Sequence, residues 1–152
     1  LDDSKKIPEA RRAALAETIR RRCHWAVGIV DVEDIDRLNI FGATMLAMTL
    51  AVEGLCAKIG CDPLEVLVDG NMTPHGRRAE WRWAARAIVG ASIVAKEHRD
   101  AMMREAALAH PHYGWERNKG YGTPDHLVAL REHGPTPLHR RSFAPVAQLA
   151  LL

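Results

Sequence analysis

The chain has 152 residues, 47% of them apolar and 26% charged, with 21 Lys plus Arg against 19 Asp plus Glu for a formal charge of +2. That composition excludes a disordered chain and fits one globular domain, 1–152. So small a positive excess excludes histone-like binding by bulk charge and leaves room only for a local basic patch. The longest apolar stretch, Ile40 to Leu55, is broken by Gly42, Thr44, Thr49 and Glu53, so neither a membrane span nor a membrane partner is expected. Cys23, Cys56 and Cys61 make neither a disulfide framework nor a zinc site, which points to a reducing, cytoplasmic compartment. The opening LDDSKK has no initiator Met and no signal-peptide pattern, and reads as the middle of a longer protein.

In chain order, Pro8 to about Arg22 predicts a helix, with Glu9 at its positive end, Arg20 to Arg22 at its negative end, and an apolar stripe of Ala10, Ala14, Leu15 and Ile19. Trp25 to Val32 predicts a strand apolar on both faces. Asp31 to Leu38 reads as a short acidic helical turn. Asn39 then caps a helix from Ile40 to about Lys58, apolar nearly all round and expected to be deeply buried. Glu65 to Val68 predicts a strand ending at Asp69-Gly70. A polar loop runs from Met72 to about Ala85, and Arg86 to Val89 is a second short strand. Ala91 to His110 predicts a helix with Ile93, Val94, Ala101, Met102 and Leu108 turned inward. His112 to Gly122 is irregular. Thr123-Pro124-Asp125 is a helix start, and that helix ends at Gly134-Pro135. Strands alternate with helices, so the class is α/β.

Four places carry residues suited to chemistry. Asp69 ends an apolar strand, where α/β folds place ligands, and Asp-Gly is also a common turn dipeptide. His110 and His112 read as solvated histidines, since Pro111 ends a helix there and no third ligand is near in sequence. Trp81 and Trp83 among Arg77, Arg78, Arg82 and Arg86 suit a stacking surface for nucleic acid, or a loop folded down by its own tryptophans. Lys119-Gly120-Tyr121-Gly122-Thr123 sets a cation, a ring and a capping hydroxyl before a helix N-terminus, which suits a phosphate or simple helix entry.

Several segments together resemble bacterial ribonuclease HII, the type 2 ribonuclease H. They are LDDSKK (1–6), EDIDRLNI with ATMLAM (33–48), LVDGN (67–71), ASIVAK with RD (91–100), HYGWERNKGYGT (112–123) and HGPTPLHRRSFAPV (133–146). They stand in the family's order and cover nearly the whole chain. The resemblance implies an α/β ribonuclease H-like mixed sheet flanked by helices. It implies a metal-dependent endoribonuclease that hydrolyses the RNA strand of RNA–DNA hybrids, including single ribonucleotides embedded in DNA, in replication and repair. Clustered carboxylates would hold Mg²⁺ or Mn²⁺, which stabilise charge on the attacking and leaving oxygens. The hybrid duplex is the implied partner, and a cytoplasmic monomer the implied form.

Carried over residue by residue, Asp69 matches a metal-binding catalytic aspartate, and Tyr121 matches the tyrosine that packs on the sugar at the RNA–DNA junction. Asp69 is therefore expected to face a cleft near Tyr121. Ser4, Lys5 and Lys6 match a motif near the substrate. Lys119, Arg140 and Arg141 suit phosphate contacts by charge, or a solvated basic surface. The chain departs from the family pattern in two ways. It has no Asp-Glu strand followed by Gly-Arg-Gly, and no Gly-Asp segment between Gly90 and Ala91. One of the four expected acids is present, and the central N-terminal strands of the sheet are lacking. The rival reading is a truncated, catalytically inactive family member that only binds nucleic acid.

Overall fold

The computed structural model of the chain describes residues 7–74, 78, 80–86 and 90–149. They belong to two compact units, one built from residues 1–30 and 40–97, the other from 31–39 and 98–152.

In the first unit, helix α1 spans Glu9–Arg22, with Pro8 at its N-cap. Its inward stripe differs from the predicted one. Ala10 and Ala14 are exposed, while Arg12 and Ala16 are buried beside Leu15 and Ile19. The shift comes from Arg12, whose Nε donates to Glu97 Oε1 at 2.6 Å and whose Nη1 donates to the Ile7 carbonyl at 3.1 Å. A paired guanidinium can occupy a core position that an unpaired one cannot. Ile7, Ala16 and Ile93 complete this small core.

The strand predicted at Trp25 to Val32 does not form; residues 24–31 carry no regular structure and Val32 already begins a helix. A strand needs a neighbour for its backbone groups, and the sheet among the described residues is a single parallel pair. The segment instead packs on helix α2, Val32–Ile59. A side chain at Gly28 would strike the Ala47 carbonyl oxygen at 2.0 Å, so only glycine permits this approach. Helix α2 breaks at Asn39, whose φ of 58° and ψ of 170° are non-helical, at the predicted boundary.

The expected deep burial of α2 is not found. Ala43 and Thr49 are buried, but Ile40, Phe41 and Ile59 are exposed. Burial needs a covering layer, and Gly28 with Ala26 covers one stripe of the helix. Contrary to the sequence expectation, α2 is long and apolar enough to cross a membrane by length and composition alone. Within the first unit Glu53 of this helix pairs with Arg78 at 2.7 Å, and Ala47 meets Gly28.

Strand β1, Val66–Asp69, pairs in parallel with β2, Trp83–Arg86, in a register that sets Asp69 beside Arg86. The second strand thus lies three residues before its predicted start at Arg86; residues 87–89 of that prediction are outside the described residues. The loop before it follows the second of its two readings. Trp81 is buried, its ring lies 5.9 Å from that of Trp83, Arg78 stacks over it at 5.3 Å, and Trp83 Nε1 donates to the Arg78 carbonyl. Arg77 lies outside the described residues.

Helix α3 spans Gly90–Ala109. Ile93 and Val94 are buried as expected, but Ala101, Met102 and Leu108 are exposed, Leu108 at 84%. The inward line is Ile93, Glu97, Asp100 and Ala107, a helical spacing that includes two acids. An apolar-only stripe misses it because Glu97 is buried by pairing with Arg12.

In the second unit, one 3₁₀ turn, Pro111–Tyr113, leads to the one-turn helix α4, Trp115–Asn118, and to α5, Pro124–His133, and α6, Ala144–Leu149. Thr123 caps α5 as predicted, its side chain accepting from the His126 N–H, and Gly134 ends it. Tyr113, Trp115, Ala129, Leu130 and Val146 form the core of this unit.

Candidate functional site

Asp69 is the last residue of β1, exposed, and followed by Gly70 with φ 141°. The strand end is fixed by backbone pairing on both sides, Val66 N–H to the Arg82 carbonyl at 2.8 Å and Gly70 N–H to the Arg86 carbonyl at 3.3 Å. Asp69 thus sits at a rigid edge with Arg86 in register beside it. Among the described residues no three His, Cys, Asp or Glu side chains come together as a metal site. The described carboxylates alone therefore do not fit the metal centre that the resemblance implies. Ser4, Lys5 and Lys6 lie outside the described residues.

Tyr121 belongs to the second unit. The residue is 56% exposed, so a tyrosine side chain with a large apolar surface is open to a partner. Its backbone is held at both ends. The N–H donates to the Asn118 carbonyl at 2.9 Å, and the carbonyl accepts from the Thr123 N–H at 2.8 Å and from His126 Nδ1 at 2.9 Å. Gly120 precedes it at φ 78°, and a Cβ there would press on Met103 at 3.1 Å. The Arg99 guanidinium lies 5.4 Å from the Tyr121 ring centroid, and its Nη1 donates to the Lys119 carbonyl at 2.7 Å. One cation therefore braces both the ring and the turn beneath it. Lys119 is half-buried in a left-handed conformation, and its Nζ hydrogen-bonds the Glu116 carbonyl. This position favours helix-entry packing over a free phosphate contact for Lys119.

Arg140 and Arg141 lie on the loop between α5 and α6. Arg141 is exposed, while Arg140 is half-buried with its guanidinium 5.9 Å over Phe143. Asp36, on the first turns of α2, anchors this loop. Its Oδ2 accepts from the Arg141 N–H at 2.7 Å, and its Oδ1 from the Ser142 N–H at 2.8 Å and the Ser142 hydroxyl at 2.5 Å. The Ser142 hydroxyl and N–H, then the Arg141 N–H and the Arg140 charge, hold the Asp36 carboxyl below its usual range against the opposing effect of partial burial. Beside it lies a depression of about 590 Å³ lined by Val32, Asp36, Thr136, His139 and Arg141.

Beneath Tyr121 lies a cluster of aromatic and histidine side chains. Trp115, His126 and His139 are buried. Trp115 Nε1 donates to His126 Nε2 at 3.2 Å, His126 Nε2 lies 3.1 Å from His139 Nε2, and His139 Nδ1 is 3.0 Å from the Thr136 N–H. Burial first, then the neighbouring His126, push the His139 pKa down to about 4. Of the other histidine pair, His112 is exposed and stacks on His133 at 4.3 Å, while His110 is half-buried against Trp115.

Asp36, Arg99, His126 and His139 were not singled out from sequence. Each lies in or next to a segment that carries the family resemblance. What identifies them is contact with Tyr121 or the arginine loop, and such contacts over as many as 106 positions have no local signature.

A family model described as Ribonuclease HII matches residues 1–146. The chain is 72% identical over 164 residues to the Ribonuclease HII of Novosphingobium aromaticivorans, covering all of this chain and 84% of that protein. It is 64% identical to that of Erythrobacter litoralis, over 99% of this chain and 76% of that protein. It is 56% identical to that of Sphingopyxis alaskensis, over all of this chain and 77% of that protein. The first of these alignments is twelve positions longer than the 152 residues of this chain.

Proposed function

Because the chain belongs to the ribonuclease HII family, we propose that it is the catalytic domain of a metal-dependent endoribonuclease that cuts the RNA strand of RNA–DNA hybrids, including single ribonucleotides embedded in DNA. The observation that carries this reading is the match of the family model over residues 1–146, supported by a relative at 72% identity. The family implies the ribonuclease H-like fold, and the parallel pair β1–β2 and the helices of the described residues are compatible with it. No observation favours the non-catalytic alternative.

The residues divide by role. Tyr121 offers an exposed ring on a turn locked from both sides, suited to packing on the sugar at an RNA–DNA junction, where only a 2′-hydroxyl separates RNA from DNA. Arg141, exposed on a loop pinned by Asp36, suits a phosphate. Arg140, Ser4, Lys5 and Lys6 are assigned to the same substrate surface on their matches and charge, while Lys119 serves the turn beneath Tyr121. Asp69 is assigned as a metal ligand and catalytic acid, with Mg²⁺ or Mn²⁺ as the ion. The described residues leave that centre incomplete. The protein is taken to act as a cytoplasmic monomer, in replication and repair.

The test is cleavage of a duplex carrying one ribonucleotide by the intact protein, alongside sequencing upstream of Leu1 and across Gly90–Ala91. Cutting at the ribonucleotide, together with an encoded Asp-Glu and Gly-Asp, supports the enzyme. Binding without cutting, and no such acids, selects the non-catalytic relative.

A further inference from the structure

We propose that His139, acting through His126, is a positioning residue for Tyr121, and that both imidazoles work as fixed neutral tautomers. The argument starts from groups whose roles cannot reverse. The Trp115 indole N–H and the Thr136 backbone N–H can only donate. Trp115 therefore makes His126 Nε2 an acceptor, which places the His126 proton on Nδ1, where it donates to the Tyr121 carbonyl at 2.9 Å. The Thr136 backbone N–H likewise makes His139 Nδ1 an acceptor, with the Thr136 hydroxyl at 3.0 Å from the same nitrogen, which places the His139 proton on Nε2, 3.1 Å from His126 Nε2. The single lone pair of His126 Nε2 is then shared by the Trp115 and His139 N–H groups. Every ring nitrogen of the pair is thus used in a hydrogen bond.

The line Thr136, His139, His126, Tyr121 joins the loop that carries Arg140 and Arg141 to the turn that presents the Tyr121 ring. His126 and His139 are buried while Tyr121 is exposed, and His139 has an edge on the depression beside Asp36. Their effect on a nucleic acid passes through the Tyr121 backbone. The functional half of the proposal rests on the reading of Tyr121 as a junction contact.

Three measurements on the intact protein test it. Imidazole ¹⁵N–¹H correlation spectra of the unaltered protein should show the Nδ1–H form at His126 and the Nε2–H form at His139; the opposite form at either overturns the proposal without any variant. His139→Gln keeps a donor where Nε2 stands, while His139→Asn keeps an acceptor where Nδ1 stands and loses the donor. The Gly122 amide ¹⁵N shift, which reports hydrogen bonding at the Tyr121 carbonyl, should move in His139→Asn and stay close to the unaltered value in His139→Gln. If it moves in neither, the relay is refuted.

The third readout is the ratio of cleavage at one embedded ribonucleotide to cleavage of a uniform hybrid. It should fall about fivefold in His139→Asn, the worth of about one hydrogen bond, recover in His139→Gln, and not fall further when His139→Asn is added to Tyr121→Ala. A ratio lowered by Tyr121→Ala but not by His139→Asn overturns the positioning role. A ratio untouched by Tyr121→Ala overturns the reading of Tyr121 instead, and the proposal's functional half with it; the spectra still decide the relay.

Discussion

One oxygen of the Asp36 carboxylate accepts both the backbone N–H and the hydroxyl of Ser142, at 2.8 and 2.5 Å, across 106 positions of the chain. The other oxygen takes the Arg141 N–H. Asp36→Asn would turn an N–H₂ group toward at least one of these donors. The expected result is a KM for hybrid several-fold higher with kcat little changed, about the effect of one charge-assisted hydrogen bond. Steady-state kinetics check it, and an unchanged KM would detach Asp36 from the arginine loop. The Asp36 pKa is lowered in the folded protein. The anchor is therefore fully present above the unfolded carboxylate value and is lost as pH falls through the lower folded value.

His139 gives a second acid response of the same sign. Its folded pKa of about 4 lies below the 6.5 of a free imidazole. Between these values the unfolded chain takes up a proton that the native state refuses. Stability should thus decline as pH falls from 6.5 toward 4, by on the order of 1 kcal/mol per pH unit, and the His139 contribution should level off below that range. Denaturant titrations of the unaltered protein and of His139→Gln should diverge in slope across this window. Parallel curves would contradict a buried neutral His139.

Arg12 and Glu97 form a buried ion pair in the first unit, each side chain less than a tenth exposed. Glu97→Gln removes a carboxylate charge held against the buried Arg12 guanidinium and is expected to cost about 3 kcal/mol. Chemical denaturation reads it. A loss for Glu97→Gln below about 0.5 kcal/mol, the scale of an exposed pair, would contradict the burial.

What could be read in the sequence was what local chemistry decides. The Thr123-Pro124 cap, the Asn39 break, the end of α5 at Gly134 and the Asp69 strand end are all set by residues next to one another. The failures share one cause. Trp25 to Val32 has the composition of a strand, but a strand also needs a neighbour; α2 has the composition of a core helix, but burial also needs a cover. The inward faces of α1 and α3 were misjudged because Arg12 and Glu97 neutralise one another across 85 positions. Tyr121 was legible through its motif. The residues that hold it, Arg99 and His126, were not, because their roles arise only when the chain folds.

The central claim, that this is a ribonuclease HII domain whose Asp69 serves catalysis, meets its most direct test in one assay. The intact protein and its Asp69→Asn variant are incubated with a duplex containing a single ribonucleotide, with Mg²⁺ or Mn²⁺, after purification away from host nucleases. The account predicts a nick at the ribonucleotide by the unaltered protein and a loss of nearly all of it in Asp69→Asn, with the same circular dichroism and denaturation midpoint. Cleavage by Asp69→Asn at the unaltered rate, or none by either protein, would contradict it.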